Sequence, residues 1–196
     1  MKRIGVLVSG GGTNLQALID AQESGIIKHG KIVTVVSNKS GAYALERAEN
    51  AGIDAKVILR KDYDSREAFD IALRDYMREK EVDIVVLAGF LAILGKTFID
   101  AYRDKIVNIH PSLIPSFCGD GFYGLKVHEE ALKYGVKVTG ATVHLVNEIT
   151  DGGKILMQKA VYINDNDTPE TLQRRVMEEA EWKILPQAVE MLCAEE

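Results

Sequence analysis

Short runs rich in Val and Ile recur at residues 4–8, 32–37, 55–59, 84–88 and 106–109, and between them apolar positions return every three or four residues. The first pattern predicts strands and the second amphipathic helices, at 14–23, 43–50 and 65–80. Residues 84–88 are apolar throughout after Asp83, as in a parallel strand covered by helices on both faces. The helix over 65–80 opens at Asp64-Ser65 and carries Phe69, Leu73 and Met77 at spacing four. This alternation predicts an α/β fold: a Rossmann-like, mostly parallel twisted sheet with helices on both faces, and ligands at the C-terminal strand ends. The second half differs. Residues 137–145 and 155–161 read as two longer strands joined by 147–153, an antiparallel excursion near the C-terminus. A helix is expected from Thr168, kinked or ended by Pro186. No repeat, linker or shift in composition divides the chain, so one domain over 1–196 is expected.

Composition narrows the function. The 196 residues are 46% hydrophobic and 27% charged, with 17 Gly and 4 Pro, which excludes disordered and collagen-like chains. No run approaches the length of a membrane helix, and the residues after Met1 do not form a signal peptide, so a cytoplasmic location and no membrane partner are expected. Cys118 and Cys193 form no CxxC pair, which argues for free thiols and against a Cys-based metal site. With 24 Lys and Arg against 29 Asp and Glu, the net charge of −5 disfavours a nucleic-acid partner and favours small molecules.

Residues 4–16 read as a strand, a turn of three glycines (Gly10, Gly11, Gly12) and a helix start, where bare amides and the positive end of a helix dipole can hold an anion. Leu15 stands where a dinucleotide fingerprint needs its third glycine, the second strand ends in Ser37-Asn38 without an acidic ribose reader, and no Gly-Lys-Ser/Thr follows. Thr13 and Asn14 add side-chain donors, which points to a monophosphate; the plainer alternative is a glycine turn that packs helix on strand.

Asn108 and His110 lie two apart at a strand end, so both project from one face, and Pro111 and Pro115 stiffen the chain that follows. An amide donor beside an imidazole suits acyl transfer without a covalent enzyme intermediate: Asn108 donating to an oxyanion, a protonated His110 stabilising it and moving a proton. A charged imidazole wants a carboxylate. Asp151 is the first candidate, raising the pKa of His110, and Glu148 the second.

The segments 8–18, 37–39, 64–67, 87–90, 108–115 and 142–153 together resemble the folate-dependent formyltransferases, in their glycinamide ribonucleotide branch, over nearly the whole chain. The resemblance implies transfer of a formyl group from 10-formyltetrahydrofolate, a co-substrate, to the amine of glycinamide ribonucleotide in purine biosynthesis. It implies a catalytic set of Asn108, His110 and Asp151, and a ribonucleotide site of Gly12, Thr13, Asn14, Leu15 and Glu181. It implies a folate site of Arg66, the wrapping segment Leu91, Ala92, Ile93 and Leu94, Asn108 and Asn147, with no metal, and a monomer or homodimer.

This chain departs from the family pattern at several points. Ala92 stands where Arg is common, Lys154 where Pro is usual and Trp182 where His is usual. The segment before Glu181 is one residue longer, and the glycine-rich stretch 118–126 is extended and reads as a lid. Among the remaining histidines, His144 reads as a buried structural residue, His128 as lining the cleft or capping a helix, and His29 as a surface turn residue; Cys118 reads as a bystander. A related formyltetrahydrofolate hydrolase and a non-enzymatic phosphate-binding domain are the rival readings. With the first strand starting near residue 3, the hydrolase's extra N-terminal domain is not expected.

Overall fold

A computed structural model of the chain describes residues 1–195. The strands are β1 (Lys2–Val8), β2 (Gly30–Ser37), β3 (Asp54–Val57), β4 (Ile84–Leu87), β5 (Ile106–His110), β6 (Val138–Leu145) and β7 (Ile155–Tyr162), in one seven-stranded sheet of order β3-β2-β1-β4-β5-β6-β7. β1 to β5 pair in parallel, while β6 is antiparallel to β5 and β7 to β6, as the two halves of the sequence predict.

The helices are α1 (Thr13–Glu23), α2 (Tyr43–Asn50), α3 (Arg66–Glu79), α4 (Lys96–Ala101), α5 (Leu125–Tyr134), α6 (Pro169–Val176) and α7 (Trp182–Ala194). Alternation along β1 sorts them onto two faces. Ile4, Val6 and Val8 pack in one core with Leu15 and Leu18 of α1, Ala44 of α2, Leu172 of α6 and Leu185 of α7. Leu7 points the other way, into a core with Phe69, Leu73 and Met77 of α3 and Phe98 of α4. The spacing-four stripe read from the sequence is thus the buried face of α3, whose start is capped by Ser65 Oγ accepting from the Ala68 amide at 3.0 Å.

The structure differs from expectation in two places. The short α4 and α5 carry no long periodic pattern and were not expected. Pro186 does not end its helix: it sits early in α7, which runs on to Ala194. The irregularity lies upstream, where a π-helical turn at Met177–Glu181 separates α6 from α7. A π turn is wider than the regular helix and interrupts its ladder of hydrogen bonds. Proline's missing amide therefore costs a bond beside a place where the regular ladder is already broken.

Candidate active site

The strand order reverses between β2 and β4 around β1, and there, beyond the C-terminal ends of β1, β4 and β5, lies a cavity of about 780 Å³. Its walls are Gly10–Asn14, the segment from Gly89 to Leu94, Asn108 and His110, the stretch Gly119–Gly124, the loop from Asn147 to Asp151, and Glu181.

One end of the cavity is built from backbone. Gly12 caps α1 with φ 72°, and a Cβ there would lie 2.6 Å from that of Ala44, so the turn needs glycine. The first intrahelical bond runs from the Gln16 amide to the Gly12 carbonyl at 2.9 Å, which leaves the amides of Thr13, Asn14 and Leu15 as first-turn donors. The Leu15 side chain is buried in the core, so that residue offers only its amide. The Asn14 side-chain amide donates to Glu181 Oε2 at 2.7 Å. Glu181, held at the end of the π turn, is buried, and burial pushes its carboxyl up to about 7 against the Asn14 hydrogen bond that lowers it.

The other end is built from side chains. Asn108 and His110 share one face of β5, and the loop after β6 brings Asp151 Oδ2 to 3.6 Å from His110 Nδ1. Two stretches 41 residues apart in sequence, at positions 110 and 151, thus converge. Asp151 adopts φ 54°, a left-handed conformation that Asp tolerates, and its Oδ2 accepts from the Gly119 amide at 2.8 Å. Burial opposes ionisation of its carboxyl, but His144, His110 and the Gly119 amide together hold it below its ordinary value. Glu148 is not the partner: it is exposed and paired with Arg103 at 2.8 Å.

Asp151 favours the charged form of His110, while burial of the ring, the larger effect, lowers its pKa. His110 Nε2–H donates to the Phe117 carbonyl at 2.8 Å, and Nδ1 faces Asp151.

His144 is the residue the sequence reading undervalued. It is buried and hydrogen-bonded, as expected of a structural residue, but it pairs across the strands with Asn108. Its Nδ1–H donates to the Leu145 carbonyl at 2.9 Å, and its Nε2 lies 3.1 Å from Asn108 Nδ2. Asp151 Oδ1 lies 3.6 Å from the same Nε2. The ring thus holds the Asn108 amide and the Asp151 carboxylate together on the cavity wall. His128, on α5, lines the cavity with both ring nitrogens buried and unpartnered among the described residues. Burial, with a smaller contribution from His110, pushes its pKa down to about 4.

Of the implied folate residues, Leu91 and Ile93 are exposed on the cavity wall at 52% and 60%, and Ala92 and Leu94 line it with them. Asn147 also lines the cavity while shaping its own loop, accepting from the Ile149 amide at 2.9 Å. Arg66 is not on the wall; its guanidinium donates to the Leu94 carbonyl at 2.7 Å from behind. The Cys118 thiol has its pKa raised by burial and by Asp151, which keeps it protonated. His29 is a surface residue paired with Glu190 at 2.6 Å. Among the described residues no helix is long and apolar enough to cross a membrane, and no group of three acidic, His or Cys side chains could hold a metal ion.

A Rossmann-like sheet carries an amide, an imidazole and a carboxylate beside a glycine turn, and the formyl transferase family matches residues 2–189. The chain belongs to that family. Within it the likeness narrows to the phosphoribosylglycinamide formyltransferases: that of Haemophilus influenzae is 44% identical over 186 residues, 95% of this chain and 84% of the relative. The trifunctional purine biosynthetic protein adenosine-3 of Bos taurus is 47% identical over 193 residues, 98% of this chain but 18% of the relative's own length. Glycinamide ribonucleotide transformylase 1 from Symbiobacterium toebii superposes with a TM-score of 0.93 at 44% identity, covering 98% of this chain and 88% of that one.

Proposed function

We propose that this chain transfers the formyl group of 10-formyltetrahydrofolate to the glycyl amine of glycinamide ribonucleotide, a step of purine biosynthesis, in the cytoplasm and as a monomer or homodimer. On this reading residues 1–196 act as one unit, with the ribonucleotide phosphate held mainly by the N-terminal half and the folate mainly by the later segments. The carrying observation is that Asn108, His110 and Asp151 share a cavity with the free amides of α1.

The residues divide the work as follows. The amides of Thr13, Asn14 and Leu15 hold the phosphate, and Glu181 accepts from a ribose hydroxyl. When the amine adds to the formyl carbon, a C–N bond forms and the carbonyl oxygen becomes an oxyanion. Asn108, oriented by His144, donates an amide proton to that oxygen. His110 takes the amine's proton on Nδ1, and the imidazolium so formed gains the Asp151 carboxylate as its partner. Collapse breaks the bond to N10 of the folate, which leaves with the proton that His110 returns. A neutral resting imidazole suits this sequence better than a charged one, because it can begin as a base. Alignment of the two reactants and the donors to the oxyanion each supply several kcal/mol, roughly 3–4 for a single donor.

The test supplies 10-formyl-folate with and without glycinamide ribonucleotide and follows release of deformylated folate. Release that requires the ribonucleotide supports the reading. Equal release without it assigns a hydrolase, and none in either case assigns a binding protein; both overturn the proposal.

A further inference from the structure

The segment from Leu91 to Leu94 has no regular secondary structure, yet it forms one wall of the cavity and exposes two large apolar side chains to it. Its shape is set from outside. At one end the Leu91 amide donates to Ser9 Oγ at 2.9 Å, and that hydroxyl donates onward to Asn38 Oδ1 at 2.7 Å. At the other end two side chains one turn apart on α3 grip the two sides of one peptide group. Arg66 donates to the Leu94 carbonyl at 2.7 Å, and Asp70 Oδ2 accepts from the Gly95 amide at 2.9 Å. Asp70 is 2% exposed and its other oxygen has no partner among the described residues. A Cβ at position 95 would meet Asp70 Oδ2 well inside van der Waals contact, so glycine there lets the carboxylate approach the backbone.

We infer that Asp70 and Arg66 are positioning residues for the formyl-folate site: they clamp the Leu94-Gly95 peptide onto α3 so that the Leu91–Leu94 wall is already shaped before the co-substrate binds. This rests on the proposed function. A buried carboxylate is an unusual tether for a surface segment, since a polar group taken out of water must recover what desolvation costs. Burial raises the Asp70 carboxyl, and the Gly95 amide with the nearby Arg66 guanidinium offsets it. Fixing an irregular segment beforehand removes the conformational entropy that binding would otherwise have to overcome. The clamp should therefore act on affinity for one substrate and leave the other, and the chemistry, alone.

The experiment compares Asp70→Ala, Asp70→Asn, Arg66→Ala and Gly95→Ala in the full chain, measuring kcat, both KM values and the thermal midpoint. A parallel titration with 10-formyl-folate alone reads affinity without turnover. Asp70→Ala is expected to raise the KM and Kd for formyl-folate about tenfold or more, with the ribonucleotide KM within twofold and kcat within threefold. Asp70→Asn, whose amide oxygen still accepts from Gly95, should recover most of that loss. Arg66→Ala should show a smaller shift of the same kind, and Gly95→Ala should reproduce Asp70→Ala even if the latter fails to fold. A formyl-folate KM and Kd unchanged in both Asp70→Ala and Gly95→Ala, or all constants falling together in step with lost folded protein, overturns the clamp. If the wild-type protein binds formyl-folate but does not transfer to the ribonucleotide, the proposed function falls while the Kd comparison still decides the clamp.

Discussion

The two ends of the cavity solve the same problem, holding a polar group in a buried place, by opposite means. At the glycine turn the donors are amides of α1, fixed by the helix itself, and the side chains of Leu15 and Asn14 are used for packing and for Glu181. At the end of β5 the polar groups are side chains, and each is fixed by another side chain or a backbone group: Asn108 by His144, His144 by the Leu145 carbonyl, His110 by the Phe117 carbonyl, Asp151 by the Gly119 amide. A site made of backbone tolerates changes of side chain but not an added Cβ. A site made of coupled side chains tolerates neither loss nor exchange at its members, yet it alone can move protons.

The strongest way to break this comparison is to delete a member of the coupled set. Asn108→Ala or His110→Ala should lower kcat by about 10²–10⁴-fold, because a donor to the oxyanion or the proton carrier is lost. The ribonucleotide Kd, measured by titration, should stay within a few-fold of wild type. Wild-type turnover in His110→Ala sinks the role given to the imidazole. His144→Ala should show the coupling: with no direct contact to the reacting atoms required of it, it should still cost kcat roughly tenfold by freeing the Asn108 amide.

The contrast also explains what could be read from the sequence. The glycine turn and the Asn-x-His strand end were legible because each lies within one strand and its exit, where periods of 2 and 3.6 fix which way side chains point. The pairing of Asn108 with His144 was not, because antiparallel register depends on the excursion between β5 and β6, including α5, which carries no long periodic signal. Asn14 and Glu181, 167 residues apart, meet only because the π turn rotates Glu181 into the cavity. The burial of His110 was not legible for a related reason: a neighbouring carboxylate can be guessed from sequence, whereas burial is a property of the assembled walls.

At the backbone end, Gly12→Ala tests the same contrast at smaller scale. The new Cβ would crowd Ala44 at 2.6 Å in a residue with φ 72°. The strain, on the order of 1–3 kcal/mol, should displace the α1 amides and raise the ribonucleotide KM roughly ten- to a hundredfold. Thr13→Ala, which keeps every amide in place, should change it only a few-fold. An equal effect from the two variants would show that the cradle is made of side chains after all.

The smallest expected effect is on stability in mild acid, and it sharpens the comparison by asking which end titrates. His128 is fully buried against the reacting end, with its pKa pushed down to about 4 from 6.5, and His110 is shifted in the same direction. A depressed folded-state pKa means the unfolded chain binds the proton more tightly. The stability these histidines contribute is therefore complete above about pH 6.5 and is lost as pH falls towards 4. His128 alone accounts for about 2 kcal/mol between pH 7 and pH 5. Carboxylates with lowered values, such as Asp167 at about 2, lose their share only at still lower pH. Glu181, raised to about 7, gains stability over the same range and is common to both proteins, so the test is the difference: unfolding free energies from denaturant titrations at pH 7 and pH 5 should shift towards instability in the wild type, relative to His128→Asn, which cannot titrate, by about that amount. Equal shifts in the two proteins would mean that the ring is reached by water in solution, and that α5 does not cover the reacting end as tightly as its packing indicates.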